Sequence, residues 1–364
     1  MHRKKIYEKS IVGDYLLFSV DVSEKKRWDE IVKSFDYYDV NYLNGYVSAF
    51  SQIGEGKPKL IYYDDGETKG INVVLIRDIA YSKPFLNKIP TNTYFDLVTP
   101  YGYGGFLIEG ENINALKEAY KHFCTKNGVV SEFTRYHLLH NKYKEFFDDI
   151  KTYKKNVVRD LNLSLDDMFM DFEHKVRKSI KKAWRSQLEI EVDYTGDRLD
   201  DFLLIYYDTM DRAKADENYY FSKEFFQYIN EYLKDHFVYF HVLYDGKIIS
   251  SELVLYGKDN CYSFLGGTDR RYMKLSANNF LKYEIIKWAK GIGLSNFILG
   301  GGYGSEDGIF KYKKGFSPNG MYDFYVGKHI YDQEKYQYLV NLRKSELDFE
   351  ANSEFFPIYR AGQT

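Results

Sequence analysis

The chain has 364 residues, of which 44% are hydrophobic and 29% are charged, and its formal net charge is −2 at pH 7. This composition is that of an ordinary globular protein, and it excludes a generally basic protein that coats nucleic acid. The length exceeds one comfortable hydrophobic core, so two domains of roughly 150–200 residues are expected. Tyr (37) and Phe (27) are abundant, and local clusters of them are candidate contacts for sugars or bases.

Cysteine and histidine usage argues against a disulfide framework and against a metal site. Cys124 and Cys261 lie far apart in sequence, and neither zinc-ligand spacing nor a disulfide pattern is present. His137 and His140 have no obvious third ligand. No stretch approaches the ~18 apolar residues of a membrane helix, and the N-terminus lacks a signal-peptide pattern. The expectation is a soluble protein of the reducing cytoplasm.

The first half of the chain predicts short strands followed by a helix. Gly and Asp turn signals separate three β-rich runs, at residues 43–54, 59–66 and 70–79. The segment NINALKEAYKHFCTKNG places Ile113, Leu116, Tyr120 and Phe123 on one stripe, which predicts a helix that stops near Gly128. Two further strands are predicted, VVSEF and NVVRDLNL.

The second half of the chain repeats the order seen in the first half: a meander of strands, then a helix, then a strand. In the second half, two helices precede the meander. Two helices are predicted in SLDDMFMDFEHKVRKSIKKAW and LDDFLLIYYDTMDRAKA. An antiparallel meander follows, with a hairpin turn at Asp245-Gly246. SANNFLKYEIIKWAKGIG predicts a helix capped by Ser276 or Asn278, and SNFILGGG predicts a strand that runs into a glycine-rich stretch. A last helix, YDQEKYQYLVNLRKSELDFE, is expected to close back on the first domain. The pattern therefore predicts two related α/β domains in tandem, divided near residue 162.

Several segments resemble FemAB-type transferases and the related GNAT acyltransferases, in order and spacing, over roughly residues 40–330. DFEHKVRKSIKKAWRSQLEIEVDY resembles the opening of the second FemAB domain. YDTMDRAKADENYYFSKEFF resembles its helix with a Thr-x-x-Arg core, and LGGGYGSEDGIFKYKKGFSPNG resembles its closing glycine-rich signature with an aromatic–Lys pair. DLVTPYGYGGFL and VVSEFTRYHLLHN look like the first domain.

The resemblance implies a fold and an activity. The fold class is α/β (α+β), with two tandem GNAT-like domains at residues 1–162 and 163–330, each a mixed, mainly antiparallel sheet flanked by helices, and a tail at 331–364 that packs on the first domain. The activity is an acyltransferase that moves an acyl group onto an amine. The acceptor is expected to be an amino sugar, a peptide, or a UDP-linked or lipid-linked envelope precursor, and DNA is not expected as a partner.

Two donors remain open. Some family members use aminoacyl-tRNA to build peptidoglycan bridges, whereas others are thought to use acyl-CoA. The chain lacks the long helical arm of some members and has PYGYGG where bridge-forming members carry Arg-Gly-Pro, which favours acyl-CoA, such as acetyl-CoA. However, RRYMKLSAN stands where GNAT enzymes carry their pyrophosphate loop, which favours tRNA. A degenerate, non-catalytic module that binds a glycan or nucleic acid is the third alternative.

Candidate binding residues lie in the loops and in the family motifs. The glycine-rich stretch contains neither a Gly-Lys-Ser/Thr motif nor GxGxxG, so a nucleotide P-loop is not expected. The resemblance assigns Arg212 to acceptor phosphates and matches the aromatic–Lys pair to Tyr312 and Lys313. The tyrosines of PYGYGG offer faces and hydroxyls suited to sugars. The predicted substrate-binding residues are Tyr101, Tyr103, Arg135, Arg212, Tyr219, Tyr220, Gly301, Gly302, Tyr312 and Lys313.

The catalytic group must serve the chemistry of acyl transfer. The acceptor amine has to be deprotonated and the tetrahedral oxyanion stabilised. Asp96, Glu132 and Asp307 are the predicted catalytic residues, and His137 is a further candidate. Since no nucleophile elbow or activated Cys or Ser is evident, direct transfer without a covalent enzyme intermediate is expected.

One predicted helix is strongly basic on its exposed side. Its cations leave Phe172, Val176, Ile180 and Ala183 for the core. The basic residues are Lys175, Arg177, Lys178, Lys181, Lys182 and Arg185. This surface is either an ordinary solvated face or a surface for phosphates, such as those of a tRNA acceptor stem, a CoA 3′-phosphate or anionic lipid headgroups.

Overall fold

A computed structural model describes residues 10–12, 15–141, 144–147, 149–302, 304, 307–344, 349 and 354–362. The chain forms two compact units. Unit 1 comprises residues 1–37, 41–153 and 324–364, and unit 2 comprises residues 38–40 and 154–323. The main segment of unit 2 thus begins at Lys154, eight residues before the predicted division. The tail belongs to unit 1.

Unit 1 is built on a mainly antiparallel sheet. Its strands are β1 (Ser10–Val12), β2 (Tyr15–Asp21), β3 (Lys57–Asp64), β4 (Lys69–Asp78), β5 (Phe95–Val98), β6 (Leu107–Glu109) and β7 (Val129–Arg135). They run in the order β1-β2-β3-β4-β5-β7, with β6 on β4, and β14 (Met321–Ile330) pairs antiparallel with β7. The pairing of β5 with β7 is parallel.

The described residues of this unit include the helices α1 (Lys25–Lys33), α2 (Asn44–Gln52), α3 (Ile113–Lys126) and α10 (Gln333–Arg343), which flank the sheet. The predicted stripe of α3 is confirmed, since Leu116 and Tyr120 are buried against Val74 and Leu97 of the sheet. Helix α10 lies within the segment where the sequence predicts a final helix, and its Tyr336 and Leu339 pack with Tyr359.

One predicted strand is wrong. Residues 43–54 were expected to be β-rich, but they contain helix α2, in which seven of nine residues are buried. A helix that packs on nearly every side carries no polar stripe, and a short apolar run of that kind cannot be told from a buried strand by periodicity.

The strands of unit 2 run in the order β8-β13-β12-β11-β10-β9, with both parallel and antiparallel pairs. The strands are β8 (Asp149–Asp160), β9 (Glu189–Asp193), β10 (Phe237–Tyr244), β11 (Lys247–Tyr256), β12 (Asn260–Thr268) and β13 (Asn296–Gly300). The predicted meander β10-β11-β12 is confirmed, and both residues of its Asp245-Gly246 turn have positive φ, as a type I′ hairpin requires.

The helices of unit 2 are α4 (Leu165–Asp171), α5 (His174–Ala183), α6 (Leu199–Ala213), α7 (Lys223–Tyr232), α8 (Ala277–Gly291) and α9 (Gly308–Lys314). A single helix was expected where α4 and α5 lie. Phe172 and Glu173 break it with extended backbone, and the Glu173 amide donates to the Gly315 carbonyl instead. Val176 and Ile180 of α5 then pack with Ile285 of α8 in the core.

Candidate active site

In unit 2, the parallel strands β12 and β13 pair only at their beginnings. Asn260–Tyr262 pairs with Asn296–Ile298, after which β12 continues to Thr268 along β11 without β13 beside it. Residues 263–267, here called the open edge of β12, therefore have no neighbouring strand on the side that faces away from β11, within the part of the chain that the structure describes. Unpaired strand groups are hydrogen-bonding positions for an extended ligand.

Helix α6 lies close over this edge because β12 carries Gly267 there. A Cβ added to Gly267 would lie 2.2 Å from Thr209 Oγ1 and 2.7 Å from the Ile205 carbonyl oxygen. A larger residue would push the helix away. Gly267 thus sets the distance between α6 and the open edge, whereas a Cβ on Gly266 would meet Ser251 and Glu252 of β11.

Three glycines lie at the end of β13 and directly after it, and nearby atoms or the backbone conformation leave little room for a side chain at these positions. Gly300 has φ +77°. A Cβ on Gly301 would lie 2.4 Å from Asn156 Oδ1, and one on Gly302 would lie 2.2 Å from Asp307 Oδ1. The predicted glycine loop is therefore a backbone pressed against polar side chains at the end of β13.

Asp307, a predicted catalytic residue, is placed as the N-cap of α9. One carboxylate oxygen accepts from the Phe310 amide at 2.7 Å and the other accepts from the Gly304 amide at 3.0 Å. Both bonds hold the loop on the helix, as N-cap aspartates commonly do. The sequence did not predict this helix, and a capping role accounts for Asp307 without catalysis.

Lys313, in the last turn of α9, reaches back to the glycine loop. Its Nζ donates to the Gly301 carbonyl at 2.7 Å, and Lys154 Nζ donates to the Gly302 carbonyl at 3.0 Å. Burial, together with the charge of Lys282, lowers the pKa of Lys313 to about 7. This amine therefore exchanges between its neutral and charged forms near neutral pH, which is the property expected of a proton-transfer group.

A buried ion pair that the sequence analysis missed lies on the elements around Lys313. Lys282 Nζ contacts both carboxylate oxygens of Glu252 and donates to Ser263 Oγ at 2.5 Å. The pair joins α8 to β11 and to the first residue of the open edge. The available signal was Glu252 itself, a lone carboxylate inside the apolar strand SELVL, but its partner 30 residues away follows from no local pattern.

Tyr312 joins α9 to α8. Its hydroxyl donates to the Asn278 carbonyl at 3.2 Å, its ring packs with Phe316, and burial raises its pKa well above the ordinary value. Of the predicted aromatic–Lys pair, Tyr312 packs against the core, whereas Lys313 is the residue with perturbed chemistry.

Exposed cations precede the N-terminus of α8, close in sequence to the end of the open edge. Arg270, Arg271 and Lys274 are exposed, and Arg271 is paired with Asp269. The N-cap residue Ser276 has φ +60° and makes no side-chain cap. Cations beside uncapped helix amides are suited to phosphate groups.

The end of α6 gathers Arg212, Tyr219 and Tyr220. Arg212 Nη1 lies 2.9 Å from Asp208 Oδ2, and the Tyr220 hydroxyl donates to Asp211 at 2.9 Å. The Tyr219 carbonyl accepts from the Tyr206 hydroxyl. The three predicted residues thus come together at the C-terminal end of the helix that covers the open edge, with Arg212 in the helix and the two tyrosines in the segment after it, although Arg212 already has a carboxylate partner.

In unit 1, Asp96 is fully buried between two guanidinium groups. Arg77 Nε and Arg360 Nε lie 2.6 and 2.5 Å from its two oxygens. Burial alone would raise its pKa, but the charges of Arg360 and Arg77 outweigh burial and hold the pKa below its ordinary value. A carboxylate stabilised as an anion in this way is a poor proton acceptor, so the geometry argues against the predicted catalytic role.

Glu132 is likewise buried and fully bonded in unit 1. It accepts from Asn72 Nδ2, from the Tyr120 hydroxyl and from the Tyr331 hydroxyl at 2.7–2.9 Å. Burial raises its pKa, and these hydrogen bonds only partly oppose that shift. The cluster accounts for Glu132 as a satisfied core carboxyl, which again does not require catalysis.

The remaining predicted residues of unit 1 line one loop and the strand beside it. Arg135 donates from its amide and from Nη1 to the side chain and carbonyl of Thr99, at 2.9 and 3.0 Å. The Tyr101 carbonyl accepts from the Tyr46 hydroxyl at 2.5 Å. Tyr103 is buried edge-on against Phe324. Tyr101 and Arg135 remain partly accessible, whereas Tyr103 packs inside.

His137, the further candidate base, is also buried in unit 1. Its Nε2 lies 3.0 Å from the Tyr37 hydroxyl, and its Nδ1 accepts from the amides of Leu139 and His140. Both ring nitrogens are occupied by the protein. Among the described residues, no group of three His, Cys, Asp or Glu side chains could hold a metal ion.

Part of unit 2 is similar in sequence to a known protein family. Residues 171–314 match the family model described as an acetyltransferase (GNAT) domain. This part of the chain is therefore similar to GNAT acetyltransferase domains. The match covers the helices α5 to α9 and the whole open edge of β12. No curated protein matches the chain.

Solved structures share the fold across most of the chain. The crystal structure of FemX has a TM-score of 0.68 at 16% identity, covering 86% of this chain and 98% of FemX. A conserved protein of unknown function from Bacteroides thetaiotaomicron gives 0.56 at 9% identity, with 84% and 97% covered. L-PGS from Bacillus licheniformis gives 0.50 at 12% identity, with 79% and 91% covered.

These findings confirm three predictions: the mixed α/β fold class of two GNAT-like domains, the resemblance to FemAB-like acyltransferases of the GNAT superfamily, and the assignment as an acyltransferase. In the described ranges, none of the helices combines the length and apolar composition of a membrane-spanning segment.

Proposed function

We propose that the chain is an N-acyltransferase of the cell-envelope type, which moves an acyl group from acyl-CoA directly onto the amine of an amino sugar, peptide or envelope precursor. The observation that carries the proposal is the open edge of β12 in a unit that also holds a lysine with a pKa near 7. The FemX and L-PGS likeness supports the envelope setting, and the GNAT family match supports the acyl chemistry.

The open edge is suited to the extended arm of the donor. The pantetheine part of CoA carries amide groups that pair with strand N–H and C=O groups as an added strand would. The CoA phosphates would then be met by Arg270, Arg271 and Lys274 before α8.

Direct transfer is supported by the state of the two thiols. Cys124 and Cys261 are buried, and burial raises the pKa of each well above the ordinary value. A buried, protonated thiol is a poor nucleophile. The acyl carbon would therefore pass from the CoA sulfur straight to the acceptor nitrogen: the C–N bond forms, the C–S bond breaks and the thiolate leaves.

Lys313 is proposed as the group that takes the proton lost by the attacking amine. Its neutral form is available at pH 7 because burial and Lys282 disfavour the charge. Once protonated, the same ammonium would favour the negative charge on the departing sulfur. Matching the pKa to the working pH is what makes such a group effective.

Aminoacyl-tRNA is the second candidate donor. Two observations favour it: the fold likeness covers 98% of FemX, and the segment before α8 lacks the glycine loop by which GNAT enzymes hold a pyrophosphate. Bridge-forming members of the FemAB family, which the sequence resembles, use that donor.

Thermal unfolding of the purified chain distinguishes the donors. A ligand that binds only the native state raises the melting temperature as its concentration passes Kd. Acetyl-CoA and longer acyl-CoAs are titrated beside deacylated tRNA and UDP-amino sugars. We expect a shift with acyl-CoA that is lost in Arg270→Glu/Lys274→Glu and retained in Lys234→Glu/Lys258→Glu, whose exposed lysines lie at the other end of β11 and β12.

Each other outcome has a definite meaning. A shift with tRNA alone would transfer the proposal to the aminoacyl-tRNA donor. Binding of acyl-CoA without turnover on any amine would favour a degenerate binding module. No shift with any ligand would overturn the proposed donor site on β12.

A further inference from the structure

A patch of aromatic rings ringed by lysines lies on the surface of unit 2, outside the candidate active site. Phe169 and Trp184 stack with ring centroids 5.5 Å apart, and Tyr283 packs edge-on against both, at 5.6 and 5.7 Å. Lys181 Nζ lies 5.9 Å from the centre of the Phe169 ring, and Lys287 Nζ lies 5.8 Å from that of Tyr283. These five residues, with the exposed face of α5, are called the aromatic–cationic patch.

The exposed face of α5 makes this patch strongly positive. The stretch from His174 to Arg185 holds six Lys and Arg residues and no carboxylate. Lys178, Lys181 and Lys182 are all exposed, because Val176 and Ile180 take the core-facing positions of the helix. Like charges brought together on one helix face repel one another, so an anionic partner is favoured.

Few carboxylates offset these charges. Glu173 pairs with Lys175 at 2.8 Å and Glu284 pairs with Lys287 at 2.7 Å. Asp166 on α4 is close enough to help raise the pKa of Tyr283. The exposed lysines of α5 named above, Lys178, Lys181 and Lys182, take no part in these two ion pairs.

The apolar part of the patch reaches solvent, which core packing does not require. The Trp184 side chain is 48% exposed although it lies at the end of α5, and Met170, which follows Phe169, is 65% exposed. Tryptophan and tyrosine next to lysine are the residues that lie at a membrane–water interface, with the ring among the headgroups and the cation at the lipid phosphate.

We propose that the aromatic–cationic patch docks unit 2 on the surface of an anionic lipid bilayer. The lysines of α5 would meet the headgroup phosphates, and Trp184 and Met170 would enter the interface between headgroups and acyl chains. RNA would also satisfy the cations, but exposed aliphatic and aromatic groups at the same place favour the lipid. The inference goes beyond the proposed function, since it holds whichever donor the enzyme uses.

Vesicle binding of the whole protein tests the proposal without any activity measurement. The protein is mixed with vesicles of phosphatidylcholine alone, or with phosphatidylglycerol at three lipids in ten, and is sedimented at 50 and 300 mM NaCl. We expect binding only to the anionic vesicles and a clear loss at high salt. Each neutralised lysine should weaken binding roughly fivefold, so Lys178→Gln/Lys181→Gln/Lys182→Gln should abolish it.

A control with equal change of net charge separates the patch from general attraction. Lys33, Lys83 and Lys121 are exposed in unit 1, and Lys33→Gln/Lys83→Gln/Lys121→Gln should bind as the wild type does. Equal losses in both triple variants would overturn the patch. Circular dichroism of each variant ensures that the comparison is made between folded proteins.

Tryptophan fluorescence gives a second, independent readout. Trp28 is fully buried and the Trp288 indole donates to the Tyr194 hydroxyl, so Trp184 is the exposed tryptophan of the three. Its emission should shift to the blue with anionic vesicles, and Trp184→Phe should remove the shift. Binding of tRNA in a gel-shift assay, with no vesicle binding, would overturn the proposal in favour of a nucleic-acid surface.

Discussion

Each unit contains a pair of parallel strands, and the two pairs differ in how far along the strands the pairing extends. In unit 2, β12 and β13 separate after Tyr262, which leaves the open edge. In unit 1, β5 stays paired with β7, the Thr99 amide continues the ladder to the Phe133 carbonyl, and Gly104 forms a parallel bridge to Tyr136. The PYGYGG loop therefore fills in unit 1 the position that is open in unit 2.

The difference extends to the buried ionisable groups. In unit 1, the carboxyls of Asp96 and Glu132 are surrounded by donors that satisfy them. In unit 2, burial and the charges of Lys282 and Lys154 disfavour the charged form of the Lys313 amine. Buried carboxyls whose hydrogen bonds are all made stabilise a fold, whereas an amine whose pKa lies near neutral pH is typical of a working site. The comparison supports our proposal that the chemistry lies in unit 2.

The largest expected effect is on the stability of unit 1. Asp96→Asn would leave Arg77 and Arg360 without their shared counter-charge, and the free energy of unfolding should fall by about 3–5 kcal/mol. Urea denaturation measures this change. Asp149→Asn, at an exposed position of the same unit, should stay within about 0.5 kcal/mol of the wild type.

The pH dependence of this effect has a definite sign. Because the folded pKa of Asp96 is depressed, its contribution is complete above the unfolded value of about 3.9 and is lost as pH falls through the folded value. Turnover per folded molecule should be nearly unchanged. A loss of a hundredfold or more in a folded Asp96→Asn protein would restore Asp96 as the base and break the comparison.

Lys313 should show the largest effect on catalysis. Lys313→Met removes the proposed proton acceptor, so kcat should fall about a hundredfold or more. In the wild type, kcat/KM should rise as pH passes from 6 to 8, because the amine loses its proton near pH 7. Lys313→Arg keeps the charge at every pH and should show no such rise. Lys311→Met, on the exposed side of α9, is the matched control.

Gly302 tests whether the loop after β13 must keep its contacts. A Cβ in Gly302→Ala would collide with Asp307 and disturb the α9 cap, which costs about 1 kcal/mol, and the displaced lysine should lower kcat about tenfold. Gly304→Ala meets nothing within 4 Å and should behave as the wild type. Equal kinetics for both variants would mean that the loop plays no part in the reaction.

The smallest expected effect is at Glu132. Its folded pKa is raised, so wild-type stability is greatest below the unfolded value of about 4.3 and declines as pH rises through the folded value. Glu132→Gln lacks this dependence, so its free energy of unfolding should rise relative to that of the wild type between pH 5 and pH 8. Denaturation at both pH values measures it, with exposed Glu118→Gln as control. A fall in turnover instead would assign Glu132 to catalysis.

Local patterns in the sequence were sufficient for much of the fold. The Asp245-Gly246 turn and the stripe of Leu116 and Tyr120 each depend on neighbouring residues, and the structure confirms both. Helix α2 was missed because burial on nearly every side erased its polar stripe. Helix α9 was missed because it has only seven residues and follows a glycine-rich stretch, which is typical of a loop. Asp307 caps this helix.

The candidate site was predicted only where a motif marks it. The family signature pointed to Lys313, but not to the lowered pKa, which arises from burial and from Lys282. Burial of Asp96 and Glu132 depends on side chains brought from up to 264 residues away, such as Arg360. The sequence alone does not distinguish a carboxylate that contacts a substrate from one that is paired with two arginines in the folded protein.

The ion pair at Asp96 also bears on the order in which a ribosome releases the chain. Unit 2 is nearly continuous in sequence, at residues 154–323, whereas unit 1 is completed by residues 324–364. Arg360 and Tyr359, which bind Asp96, are therefore made after unit 2 is already available to fold. Until they arrive, the first unit holds a carboxylate with a single arginine beside it. Nascent unit 1 is thus expected to be the later of the two to become resistant to protease, and the more dependent on protection while synthesis finishes.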